Sequence, residues 1–148
     1  MARGDVVVFE EAMAKMLDGD WASTDHFYCA ICDNTTTPAA SMATPVLGDF
    51  TQVGNSGTYV TGGTDLGTLA DLVTEADGVV TFDSATNPTW AQDASNDTDA
   101  YWGIIYNYTD ASNDAVAYVD LGGPVDMTAG DLTITWNGSG IFTITKAA

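Results

Sequence analysis

Apolar positions recur along this chain with two different periods. Near the start, Phe9, Ala12, Met13, Met16 and Leu17 fall at i, i+3, i+4, i+7 and i+8, the spacing that lines up side chains on one stripe of an α-helix. Asp5 stands ahead of the stripe, where an acidic side chain can cap a helix or favour its positive end. Asp18-Gly19-Asp20 supplies the stop. The pattern predicts a short amphipathic helix over about 6–17, with Trp21 stapling its end to the rest of the fold.

Beyond that point the period changes to two. The chain becomes rich in Thr, Val, Gly, Asn and Asp, with turn residues at short intervals, which is the signature of short strands in a sandwich or barrel. Strands are expected at 26–32, 78–83, 101–108, 115–121, 132–137 and 141–146. In the fifth of these, Leu132, Ile134 and Trp136 alternate with Thr133, Thr135 and Asn137, so one face is apolar and the other polar. Gly138-Ser139-Gly140 separates the last two, and its glycines suit a three-residue hairpin loop. Residues 34–67 show no sustained period and read as a long loop or arm. A stretch of that length either hides short strands, around 48–53 and 58–61, or orders against a neighbouring molecule. Residues 68–76 suit one more strand or a single helical turn. The expected fold is mainly β: a sandwich or barrel-like set of antiparallel sheets with one N-terminal helix, in a single domain spanning 1–148.

Composition narrows the function. The chain has 148 residues, 45% of them hydrophobic, enough to bury roughly two-thirds of its unfolded surface without a disulfide or metal. Three Lys and Arg stand against 21 Asp and Glu, a net charge of −18. The charged fraction, 16%, is below the ~25% of ordinary domains, so the chain is depleted of cations rather than rich in charge. Arg3, Lys15 and Lys146 are too few to neutralise phosphates, which argues against nucleic acid and against an anionic membrane surface as partners. The apolar run Val6–Phe9 is interrupted by Glu10 and Glu11, too soon for a signal sequence. No stretch approaches the ~20 apolar residues of a membrane span.

Several residues invite chemistry and are better explained by folding. Cys29 and Cys32 have CxxC spacing, but they sit in an apolar run that reads as a strand, which sends them to opposite faces. Redox chemistry wants the motif at a helix N-terminus and zinc wants about four ligands, so both cysteines are expected to be buried, unpaired and reduced. His26, the single histidine, would have to carry any acid–base or triad chemistry; no nucleophile elbow accompanies it. Gly62-Gly63 has no following lysine and reads as a turn, not a phosphate cradle. Asp93, Asn96, Asp97 and Asp99 offer oxygens at short spacing, the kind that suits Ca²⁺, without an EF-hand pattern. Trp90, Trp102 and Trp136 lie on or beside expected strands and are assigned to the core before a sugar platform. The pentapeptide Asp-Ala-Ser-Asn-Asp occurs twice, at 93–97 and 110–114, at the two ends of one expected strand, and reads as loop chemistry. No catalytic, cofactor or metal site is assigned.

The ordered series of segments is similar to a known group. Leu17-Asp18-Gly19-Asp20, Gly57-Thr58-Tyr59-Val60-Thr61-Gly62-Gly63, Ala117-Tyr118-Val119-Asp120-Leu121-Gly122 and the stretch from Asp131 to Thr145 together resemble a family of small structural proteins of tailed-phage virions. The resemblance runs over nearly the whole chain and is densest in the last third; it departs from the family pattern at 26–32 and 41–53. It implies a non-enzymatic, β-rich capsid decoration or cement protein, made in the bacterial host cytoplasm and bound to the outer head surface. The implied partners are the major capsid protein and copies of the chain itself, a homo-oligomer such as a trimer. The alternatives are a tail, neck or fibre component, a carbohydrate-binding β-sandwich using Trp90 or Trp102, and a small hydrolase built on His26.

Overall fold

A computed structural model of the chain describes residues 1–146. Its strands in chain order are β1 (Val6–Val8), β2 (His26–Cys32), β3 (Thr64–Thr68), β4 (Val73–Ala76), β5 (Val79–Phe82), β6 (Thr89–Trp90), β7 (Ala100–Asn107), β8 (Ala115–Val125), β9 (Leu132–Thr133) and β10 (Phe142–Thr145). A nine-residue helix, α1 (Glu10–Asp18), follows β1, and a single helical turn, α2 (Leu69–Leu72), precedes β4. The fold is mainly β, with antiparallel sheets in a sandwich-like arrangement. Among the described residues no helix is long and apolar enough to cross a membrane.

The helix expected over 6–17 begins only at Glu10. Val6, Val7 and Val8 are β-branched, which restricts them in a helix and suits them to a strand, and they pair with Val119, Tyr118 and Ala117 of β8. Asp5 therefore caps nothing in α1: its carboxylate accepts from the Ala2 N–H at 2.6 Å. The helix end is as expected. Gly19 takes a left-handed φ of 75°, and the N–H groups of Gly19 and Asp20 both donate to the Lys15 carbonyl, at 3.1 and 3.2 Å, which satisfies a carbonyl that the last turn would otherwise leave open.

Five strands form the main sheet, in the order β1-β8-β7-β2-β3. The register places Cys29 opposite Ile105 and Ile31 opposite Gly103, while Tyr28, Ala30 and Cys32 face Tyr106, Ile104 and Trp102. Alternation therefore gives the sheet two faces, and both are covered. On one, Phe27 meets Trp21 and Phe82 edge-on, and Ile134 reaches over Gly103 so closely that a Cβ there would lie 2.9 Å from it. On the other, Tyr118 packs against Phe9, which in turn meets Phe50. Phe27, Ile31, Ile104 and Ile105 are completely buried; each such side chain contributes roughly 1.5–3 kcal/mol.

The second covering layer comes from the stretch expected to be a loop or arm. Between 34 and 67 the chain anchors itself with buried Leu47, Phe50, Val53 and Tyr59. The stretch 48–53 contributes the end of a 3-10 turn at Leu47–Asp49 and an isolated bridge from Gln52 to Cys32. No strand forms at 58–61. Instead Tyr59 plugs the layer: its hydroxyl donates to Gln52 Oε1 at 2.7 Å and accepts from the Ile31 N–H at 3.2 Å. Gly63, at φ 80°, runs so close to β2 that a Cβ would sit 1.9 Å from the Cys29 carbonyl oxygen. That close approach opens β3, a strand hidden by the glycine-rich sequence. Residues 68–76 hold both expected alternatives in succession, α2 and then β4.

The C-terminal hairpin expected from 132–137 and 141–146 does not form. The burial alternation of Leu132 to Asn137 holds, but β9 pairs with β6 and β10 pairs with β5. The segment keeps following residues 86–90: the Ile134 N–H donates to the Pro88 carbonyl at 3.0 Å, and Trp136 donates from its backbone to Asn87 Oδ1 and from Nε1 to the Thr86 carbonyl, at 3.0 and 2.7 Å. Gly138–Gly140 then carries the chain to a different sheet, over β5, where a Cβ on Gly140 would lie 2.4 Å from Thr81. The result is a separate three-stranded sheet, β10-β5-β4.

Candidate functional site

The small sheet has two unlike faces, and its register shows why. Phe82 lies between Phe142 and Val73, and Val80 between Ile144 and Glu75. These share one face. The alternate rows, Thr143-Thr81-Thr74 and Thr145-Val79-Ala76, share the other. One face is thus threonine-rich and suited to water; the other is apolar except for Glu75.

Only the centre of the apolar face, Phe82, is sealed. Phe82 is buried, stacked on Phe142 at 4.8 Å and edge-on to Phe27 at 5.8 Å. Val73, Val80 and Ile144 remain 37%, 38% and 45% exposed. Facing them is the end of α1. Its stripe is split between two uses: Phe9 and Ala12 are fully buried, whereas Met13 is 42% and Leu17 88% exposed. Met16 and Leu17 from α1, Leu69 from α2 and the outer row of the small sheet enclose a groove of about 560 Å³ with Trp21 at its base. Single exposed apolar residues need no explanation, but a contiguous set on one groove marks an interaction surface. A second hollow adjoins it across Val80 and Ile144, lined by Glu75, Asp77 and Lys146.

The electrostatic setting is acidic. Asp18 and Asp20 follow Leu17 at the end of α1, and Glu75 and Asp77 stand at the outer end of the sheet, all exposed. Lys15 does not offset them. Its ammonium is ion-paired with the buried Asp114 carboxylate, which also receives the Trp21 Nε1–H at 3.5 Å. The hydrogen bond from Lys15 to Asp114 holds the lysine above its ordinary value of 10.5, against the opposing effect of burial.

The residues singled out in the sequence lie elsewhere and are occupied in folding. His26 opens β2 with Nδ1 3.0 Å from the Asp65 carboxylate, both side chains about half exposed. Cys29 and Cys32 are free and buried, on opposite faces of β2. Burial pushes both thiols up, Cys32 to about 12 with help from Asp33, so neither is a thiolate near neutral pH. Trp90 is buried against Tyr59 and Trp136 is buried over the main sheet. Trp102 is half-buried with its Nε1–H donating to Asn34 Oδ1 at 3.0 Å.

The acidic loop is spent on backbone groups. Asp93 Oδ1 accepts from the Ser95 N–H at 2.8 Å, Asp97 Oδ2 accepts from the Gly54 N–H at 2.7 Å, and the Asn96 amide donates to the Ala91 and Met127 carbonyls at 2.9 and 3.2 Å. Burial and the neighbouring Asp97 raise the Asp99 carboxyl. Among the described residues no three His, Cys, Asp or Glu are grouped to hold a metal ion. The second copy of the pentapeptide folds the same way, with the Ser112 N–H on Asp110 Oδ1 at 2.8 Å, which identifies the repeat as a shared turn.

The groove itself escaped the sequence pattern. Its one signal was the width of the α1 stripe, five apolar positions where the core uses two completely. In comparisons with known proteins, the chain matches no family model, no curated protein and no solved structure.

Proposed function

We propose that this chain is a non-enzymatic structural protein of a tailed-phage virion, a decoration or cement protein that binds the outer face of the head shell in many copies. The observation that carries the reading is the apolar groove left open among the described residues, on a body whose net charge is −18. Such a surface is an attachment device: charge keeps the free protein soluble, and the groove supplies the apolar contact that association needs. The reactive side chains are meanwhile committed to folding, with both thiols buried and Asp114 held by Lys15. The ordered segments 57–63, 117–122 and 131–145 support the same reading through their resemblance to virion proteins.

Quantitative mass spectrometry of purified particles tests it. Copies in the numbers of the shell lattice support decoration. A single ring of copies moves the protein to the neck, tail or fibre. Absence from particles that otherwise contain a full set of head and tail proteins overturns the reading.

A further inference from the structure

We infer that the groove between α1 and the small sheet takes an apolar segment of a different protein, flanked by Lys or Arg, and not a second copy of this chain. The virion reading enters only in naming the shell subunit as the bearer of that segment.

The apolar part of the match follows from the rows. Val80 and Ile144 form an exposed floor, and Leu17 and the half-buried Met16 form a wall. Strands ~4.8 Å apart make a floor of three strands about 10–14 Å across, wide enough for one helix or one extended segment and too narrow for a broad flat interface. Met16 adds an unbranched side chain that can adjust to whatever is seated there.

Charge decides between the possible occupants. Glu75 ends the outer row beside Val80, so its carboxylate lies at the lip of the floor. Asp77 follows at the turn and lines the adjoining hollow, and exposed Asp18 and Asp20 follow Leu17 directly where α1 ends. A second copy seated on this surface would bring the same four carboxylates with it. Of its cations, Lys15 is committed to Asp114, and Arg3 lies over Gly122 of the main sheet. Lys146 alone stands at this end. Four carboxylates against one ammonium on each side is a like-charge contact, which disfavours pairing where water is excluded. A segment with apolar residues at its centre and Lys or Arg at its ends meets the same surface with opposite charge, and gains charge-assisted hydrogen bonds at Glu75 and Asp77.

Two synthetic amphipathic peptides with one common leucine-rich face, one flanked by lysines and one by glutamates, provide the probe. Isothermal titration of the full chain at low salt is expected to give the lysine peptide at least about tenfold tighter binding, with the gap narrowing as salt rises. Leu17→Asp, at a position too exposed to affect folding, and Val80→Asp are each expected to weaken the lysine peptide by about tenfold or more. Glu75→Lys is expected to erase the preference between the peptides. Failure of both peptides to bind, or equal binding of the two, overturns the inference. So does concentration-dependent dimerisation in sedimentation that Val80→Asp abolishes, since the occupant is then a second copy. The two readings fail separately: peptide binding by a protein absent from particles leaves the groove's chemistry standing, and a lattice-number particle protein that ignores both peptides removes only the inference.

Discussion

The two sheets of this molecule are made of the same residue types and meet different fates. The main sheet sets Ile104, Ile105, Val116 and Val119 in its central strands, all buried. The small sheet sets Val80 in its central strand and Val73 and Ile144 on its two edges, all exposed by more than a third. Strand propensity does not distinguish them. What differs is cover: the main sheet is overlaid by Phe9 and Phe50 on one face and by Phe82, Ile134 and Trp21 on the other, while among the described residues the outer row of the small sheet is left open. Burial in a β protein is therefore a property of the second layer, and an apolar row left bare beside a threonine face points outward to a partner.

The largest expected effect comes from stripping cover off the main sheet. Trp136 is 9% exposed and hydrogen-bonded through Nε1 to Thr86, so Trp136→Ala is expected to cost about 3–5 kcal/mol in urea unfolding. Val80→Ala, on the small sheet, should stay within about 1 kcal/mol, since little contact is lost at an exposed position. Equal losses for the two would mean that the groove is core and would erase the distinction between the sheets.

A middle-sized effect is expected where α1 is tied down between the two sheets. Lys15→Met leaves the buried Asp114 carboxylate without its cation, and is expected to cost about 1–3 kcal/mol because Lys15 itself is partly open to water. The pH dependence has a definite sign. The folded lysine is held above 10.5, so the pair's contribution is complete below that value and is lost as pH rises through the folded-state value. Unfolding of wild type and Lys15→Met at pH 8 and above pH 11 should show the difference shrinking at the higher pH. A constant difference would mean that Lys15 acts through packing alone.

How far the sequence revealed this arrangement depends on cover as well. β2, β7 and β8 were legible because their alternation is long and their neighbours are turn residues. The turns at Asp93 and Asp110 were legible because a side-chain oxygen two residues ahead of an N–H is local chemistry. β1 was not, since Val6–Val8 continues the apolar register of the helix stripe and only its pairing with β8 makes it a strand. β3 was hidden by Gly63 and Gly67, where close approach to the β2 backbone at the first and a positive φ of 125° at the second, not pattern, set the residue. The C-terminal hairpin was misread because pairing partners are non-local: β9 and β10 each have a strand pattern, and nothing in them says that they belong to different sheets. The groove was hidden for the same reason, because Met16 and Leu17 carry no mark that separates a core face from a docking face.

The smallest expected effect is an acid-sensitive loosening confined to the small sheet. Asp71 sits in α2, at the root of β4, and its carboxylate accepts from the Thr68 hydroxyl at 2.6 Å and from the Thr68 N–H at 3.3 Å. These bonds hold the Asp71 carboxyl below its ordinary 3.8. A carboxylate depressed in the folded state stabilises it above the unfolded value and loses that contribution as pH falls through the folded one. Acidification also relaxes the repulsion within a chain of net charge −18, which favours the folded state as a whole. The two effects act on different parts of the molecule, so global unfolding cannot separate them and local exchange can. Amide hydrogen exchange at pH 3, compared with pH 6 after correction for intrinsic rates, should show Leu72 to Thr74 losing protection while Ile104 and Ile105 keep theirs. Thr68→Val should bring the same local loss already at pH 6, because it removes the hydroxyl that the carboxylate needs. If Ile104 and Ile105 open together with Leu72, the two sheets unfold as one unit and the groove is no more independent than the core beneath it.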